Sequence, residues 1–204
     1  LNHYDQVIAD AVQTVVRKQT EVGVDVVSDG EQSKISYATY IKHRLNGFDG
    51  DSPRRTPKDL EEYPAFSKRA SSSGGVPTYS RPQCVGPISV KNLKPLEVDL
   101  QNFKDALSAS KSTDAFMNAA SPGVIAQFQP NQHYPDHSSY LYALADAMKV
   151  EYEGIAEAGL VIQIDSPDLA LGRHVLFKDQ SDEEFVAMAE LHIEALNHAL
   201  QNIP

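Results

Sequence analysis

The sequence carries a single cysteine, Cys84, in 204 residues. One thiol cannot close an intrachain disulfide, so stability must come from the core, and a reducing, cytoplasmic compartment fits that usage. Tryptophan is absent, which removes the usual aromatic platform of a sugar-binding cleft. Positive charge is also scarce. Eighteen Lys and Arg stand against 28 Asp and Glu, a net charge of −10, whereas a nucleic-acid partner would need concentrated bases. The densest basic stretch, with Arg54, Arg55 and Lys58, runs straight into Asp59, Glu61 and Glu62 and reads as a solvated loop. No apolar run approaches the ~20 residues of a membrane helix. No signal peptide opens the chain, but Met does not stand first and residues 2–22 already read as a helix, so sequence upstream is expected. Neither Gly-x-Gly-x-x-Gly nor a Walker-type loop is present, which lowers dinucleotide and nucleotide readings.

What is present has the composition of an ordinary globular domain, 41% hydrophobic and 23% charged, and the length calls for only one such domain. Val7, Ile8, Ala11, Val12, Val15 and Val16 recur at helical spacing, and Gly23 follows as a stop. The β-branched run Val24 to Val27 then leads into Ser28-Asp29-Gly30-Glu31. Residues 36–45 read as a helix ended by Asn46-Gly47. Residues 49–80, rich in Pro, Ser, Gly and charge, read as one long polar loop. Residues 83–90 read as a strand, 98–108 as a helix, and 115–126 as carrying a strand that ends near Ser121-Pro122-Gly123. Residues 138–158 form the longest predicted helix, with Leu141, Leu144, Ala145, Met148, Tyr152, Ile155 and Ala156 on one face. The continuous apolar run from Leu160 to Asp165 reads as a strand buried on both faces. Ser181 and Glu184 have the spacing of a capping box, opening a helix to about Leu200.

Alternation of helix and strand predicts an α/β fold with a parallel sheet. Four strands are counted, where a closed barrel needs eight and typically ~250 residues. The choice lies between an open doubly wound sheet and about half of a barrel. In either, chemistry gathers at the carboxyl ends of the strands. Asp29 and Glu31 follow the first strand and Asp165 ends the fourth. Such a rim can hold an ammonium group, bind a metal or act as an acid/base pair, or its acids can simply cap turns. Pro167 restricts Ser166 to an extended shape, which stiffens the position of Asp165. Ser121 stands at the third strand end, with the aromatic Phe128 just beyond it between Gln127 and Gln129. His133 and His137 are four apart, but Pro135 between them argues against a helical zinc pair. His192 and His198 point to different sides of their helix. Cys84, with no Cys or His nearby, reads as a small buried apolar residue.

Residues 23–31, Gly-Val-Asp-Val-Val-Ser-Asp-Gly-Glu, and residues 158–167, Ala-Gly-Leu-Val-Ile-Gln-Ile-Asp-Ser-Pro, together resemble the catalytic domain of cobalamin-independent methionine synthase. Between them, residues 121–128 fall where that family has a Gly-Pro segment leading to a Trp. The resemblance runs over almost the whole chain in the right order, and its Gln163-Ile164-Asp165-x-Pro167 segment is fairly specific. It implies a TIM (β/α)8 barrel, of which residues 1–204 form a single incomplete domain of about four β/α units. It also implies zinc that activates the thiol of homocysteine, with 5-methyltetrahydrofolate as methyl donor and methionine as product. On this resemblance Glu31 lies near the homocysteine and metal, Asp165 binds the substrate's ammonium group, and Phe128 contacts the pterin. Asp29, Gln163 and Ser121 join the substrate site.

The family's zinc ligands, a His-x-Cys, a Glu and a second Cys, have no counterpart here, so no metal ligand is expected in this chain and all are expected beyond Pro204. Phe128 in place of Trp, and Asp29 where the family has His, suggest a shorter single-domain relative. Such relatives include alkyltransferases with other donors or acceptors, for example of the coenzyme M type. The partners expected are therefore small molecules, homocysteine and folate, with a homo-oligomer possible and no nucleic acid or membrane. Three alternatives stay open. Glycoside hydrolysis would need two carboxyls ~5–9.5 Å apart. A tetrapyrrole-handling barrel would want an Arg-rich entry that is not visible. A non-catalytic barrel fragment is the third.

Overall fold

The computed structural model describes residues 3–53, 56–72 and 81–204. In chain order they form α1 (His3–Glu21), β1 (Val26–Ser28), a 3-10 turn (Thr39–His43), β2 (Leu45–Asp49), α2 (Lys58–Glu61), α3 (Pro64–Ser72), β3 (Gln83–Val90), α4 (Lys94–Ser108), β4 (Asp114–Ala120), α5 (Pro122–Phe128), α6 (His137–Glu157), β5 (Val161–Asp165), α7 (Asp168–Leu171), a 3-10 turn (Gly172–His174) and α8 (Asp182–Ala199).

The parallel sheet has three strands, in the order β1, β4, β5. Chain order and spatial order coincide across these three strands. Four parallel strands were expected from the sequence. The difference lies in β3, which pairs antiparallel with β2 in a separate two-stranded ribbon. The predicted helix over 36–45 is likewise replaced, by a 3-10 turn followed by β2. At Asn46-Gly47, read as a helix stop, the chain is inside a strand instead. Gly47 has φ 96°, and a Cβ there would lie 2.7 Å from the carbonyl oxygen of Gly86 on β3. The close pairing of β2 with β3 therefore demands glycine, and a helix cannot supply the register. Within 49–80, the stretch read as loop contains α2 and α3; its residues 54–55 and 73–80, including Arg54 and Arg55, lie outside the described residues.

Helices pack on one face of the sheet. Val27 of β1 and Ala115, Met117 and Ala119 of β4 are buried on that side. β1 packs on α1, and β4 and β5 pack on α6, whose buried face carries Tyr140, Leu141, Leu144, Ala145, Met148, Tyr152 and Ile155, the stripe expected from 3.6-residue periodicity. The expectation that β5 is buried on both faces does not hold. Val161 is 53% exposed and Val26 45%, because no layer among the described residues covers the second face. By alternation and by the register that sets Asn118 beside Gln163 and Ala120 beside Asp165, the open face is apolar at its lower end and polar toward the strand carboxyl ends. The capping box at Ser181 and Glu184 forms as expected, and Gly159, at φ 80°, ends α6. Among the described residues no helix is long and apolar enough to cross a membrane.

Candidate functional site

Parallel pairing brings the carboxyl ends of β1, β4 and β5 to one edge. β1 is only three residues long, and the α1 side chain of Gln19 secures it by pairing with both backbone groups of Ser28, at 2.8 and 3.0 Å. Past the strand the chain turns sharply. Asp29, 2% exposed, accepts a hydrogen bond from the Glu31 backbone N–H at 3.1 Å. Gly30 and Glu31 both take left-handed conformations, φ 65° and 55°. For glycine this costs nothing; for glutamate it costs on the order of 1–2 kcal/mol. A non-glycine residue held there at a strand end is a feature of functional sites.

What holds Glu31 is Lys34. Its backbone N–H donates to the Glu31 carbonyl at 3.0 Å, and its Nζ lies 3.1 Å from Glu31 Oε1. The same ammonium donates to the carbonyl of Asn118 on β4 at 2.6 Å and stands 4.8 Å from the centre of the Tyr40 ring. Asn118 in turn donates through Nδ2 to both carboxylate oxygens of Asp165 on β5, at 3.3 and 3.2 Å. Gln163 Nε2 adds a third contact at 3.2 Å. One polar network therefore joins Glu31, Lys34, Asn118, Asp165 and Gln163 across all three strands. Glu31 is balanced by a cation, whereas among the described residues the donors around Asp165 are neutral amides. An uncompensated carboxylate on an open rim is suited to accept a ligand's ammonium group.

The side chains of Ser121 and Phe128 sit apart from this network. Ser121 is 2% exposed; its hydroxyl caps α5 by accepting from Val124 N at 3.0 Å and donates to Asp168 Oδ1 at 2.9 Å. Its backbone N–H donates to the Asp165 carbonyl at 3.0 Å, which ties β4's exit to the end of β5. Phe128 ends α5 edge-on to Tyr37, centroids 5.6 Å apart, with the Arg81 guanidinium 5.4 Å from its ring centre. This forms an aromatic wall with a cation on it.

Two buried clusters brace the edge. In the first, Arg44 pairs with Glu151 at 2.7 Å and Asp99 at 2.5 Å, and the Tyr40 hydroxyl donates to Glu151 at 2.5 Å. Burial opposes the charge on Arg44, but Glu151, Tyr40 and Asp99 outweigh it and raise the guanidinium further. The Tyr40 and Tyr152 hydroxyls hold the N–H and carbonyl of Ala120, the last residue of β4, at 3.3 and 2.6 Å. In the second, Asp168, His192 and His137 form a chain with contacts of 2.7 and 2.8 Å. Burial, and then the neighbouring His192, pull His137 down to about 4. His133 instead lies edge-on to Tyr134, and His198 pairs with Asp146 at 2.7 Å.

Sequence reasoning missed Lys34, Asn118, Asp168 and the buried role of His192. Two carried a readable signal. Asn118 interrupts an apolar strand run, and Lys34 stands three residues after an acid, within reach across a turn. The other two depend on α7 and α8 meeting, which no local pattern encodes. Among the described residues no three His, Cys, Asp or Glu side chains are grouped to hold a metal ion. Cys84 is buried against the carbonyl of Gly86, and burial raises its thiol. The residues described here do not fit a zinc centre.

No protein-family model matches the chain. It is similar to proteins named methionine synthase from archaea. The protein of Saccharolobus solfataricus is 27% identical over 195 residues, covering 95% of this chain and 48% of that protein. That of Sulfolobus acidocaldarius is 28% identical over 164 residues, 80% of this chain and 42% of the relative. A Saccharolobus islandicus protein is 28% identical over 199 residues, 97% and 50% respectively. The chain thus spans about half the length of these relatives. Among solved structures, a B12-independent methionine synthase from Shewanella sp. W3-18-1, in complex with selenomethionine, superposes with a TM-score of 0.70 at 20% identity. The match covers 100% of this chain and 51% of that one.

Proposed function

We propose that this chain, a partial-length relative of the methionine synthases, supplies the amino-acid-binding rim of a thiol methyltransferase that makes methionine from homocysteine. The observation that carries the reading is the strand-end network in which Asp165 keeps an unbalanced carboxylate while Glu31 is neutralised by Lys34. Asp165, oriented by Gln163 and Asn118, receives the ammonium group of the substrate. Glu31, set by the Asp29 turn, lies beside the sulfur end. Ser121 fixes the end of β4 against Asp165. Phe128, with Tyr37 and Arg81, offers a flat wall to the ring of 5-methyltetrahydrofolate, and Arg81 offers a cation to its anionic tail. In this reading residues 1–204 are one domain, an arc of a (β/α)8 barrel, and zinc is held by ligands beyond Pro204. The in-order parallel strands and the open sheet face support the barrel. The lone buried thiol accords with a cytoplasmic setting.

The test is an assay for methionine formation from homocysteine and 5-methyltetrahydrofolate, using the protein with any sequence that flanks residues 1–204. Methionine should form, and Asp165→Ala should lower kcat/KM for homocysteine by roughly a hundredfold or more, the loss expected on removing a charged partner. No turnover with this donor but turnover with another methyl donor would move the assignment to a related thiol alkyltransferase.

A further inference from the structure

We infer that Lys34 is a positioning and specificity-determining residue of the strand-end site: it neutralises and anchors Glu31, leaving Asp165 as the carboxylate that takes the ligand's cation. The inference rests on the proposed reading that the ligand is an amino acid.

The side chain of Lys34 is 3% exposed, against 32% for Glu31. An ammonium ion so withdrawn from water is expensive unless its hydrogen-bonding capacity is met. Here it is met from three sides: the Glu31 carboxylate at 3.1 Å, the Asn118 carbonyl at 2.6 Å and the face of Tyr40 at 4.8 Å. Both ends of Lys34 return to Glu31, the backbone N–H to its carbonyl and the ammonium to its carboxylate. This double hold supplies what the left-handed backbone at Glu31 requires, since such strain persists only where the surroundings over-determine it.

The same contact settles the charge pattern. With Asp29 buried, a ligand ammonium approaching the rim meets the carboxylates of Glu31 and Asp165. One already shares a buried cation; the other, among the described residues, has only the amides of Asn118 and Gln163. The attraction therefore differs between them, and the ligand has one orientation, ammonium toward Asp165. Asn118 makes the arrangement rigid, because its carbonyl holds Lys34 and its side chain holds Asp165. Without Lys34, Glu31 becomes a second unbalanced acid and loses its tether to β4.

The experiment measures binding of L-methionine, and amide hydrogen exchange, for the full protein and for Lys34→Met, Lys34→Gln and Lys34→Arg. Lys34→Met should weaken binding of L-methionine by roughly tenfold to a hundredfold, because a released Glu31 no longer keeps its place at the rim and draws the ammonium group away from Asp165. Lys34→Gln, which keeps a donor for the Asn118 carbonyl, should be similarly weakened, and Lys34→Arg should recover most of the affinity. Amides of residues 29–36 should exchange faster in Lys34→Met while those of α6 do not. Should Lys34→Met fail to fold, Lys34→Gln against Lys34→Arg decides the matter. Equal affinity across the series would overturn the inference. If the unaltered protein does not bind methionine, the amino-acid reading fails. The exchange data then decide the anchoring role, which unchanged exchange at 29–36 would overturn.

Discussion

At the residue scale the site depends on space as much as on charge. Gly123 has an ordinary backbone, yet a Cβ there would fall 2.1 Å from Asp168 Oδ2 and 2.4 Å from His192 Nδ1. The α5 backbone comes this close because Asp168 must receive both Ser121 and His192. Gly123→Ala should therefore destabilise the protein by roughly 2–4 kcal/mol, combining overpacking with a disturbed buried hydrogen bond, despite the higher helix propensity of alanine. Urea denaturation reads this directly; a stabilised variant would show that the Asp168–His192 pair moves aside without cost. Such a position is invisible in the sequence, where Ser121-Pro122-Gly123 looks like a strand exit followed by a turn.

At the element scale, α6 and α8 meet through histidines. His137 opens α6, and its Nε2 lies 2.8 Å from that of His192 in α8. The groups facing it are Asp136, Asp168 and His192. In the unfolded chain His137 takes a proton near its ordinary 6.5, whereas in the folded protein burial and His192 delay this to about 4. Between those values the unfolded state binds more protons, so this contribution to stability is complete above about pH 6.5 and declines as pH falls toward 4. His137→Gln should flatten that part of the stability–pH curve, measured by denaturant melts from pH 7 to 4. An unchanged slope would place the titration elsewhere.

Elements also differ in how far they could be read. α6 and α8 were legible because their apolar stripes are long and their ends carry Gly159 and Ser181. β5 was legible as a strand from Val161 to Asp165, but its exposed face was not, since an apolar run looks the same whether or not a second layer covers it. β2 was not legible at all. Asn46-Gly47 is a stop in a helical reading, and only the partner strand β3 makes it a strand. Of the site, Glu31 and Asp165 could be named because strand ends concentrate acids in parallel folds. Lys34 and Asn118 needed the register between β1, β4 and β5.

At the scale of the whole molecule, three parallel strands stand in chain order with helices on one face, and the other face exposes Val26 and Val161. The chain spans about half the length of its relatives, and the proposed barrel would bury that face and bring further groups opposite Asp165. Opposite those groups Asp165 is the proposed receptor for an ammonium group. Calorimetric titration of the full protein with L-methionine, N-acetyl-L-methionine and, for comparison, Asp165→Asn with L-methionine tests that role most directly. L-methionine should bind most tightly, with acetylation or the Asn substitution each weakening binding by roughly a hundredfold. Equal affinity for the acetylated ligand, or an Asp165→Asn protein that binds as well as the original, would contradict it.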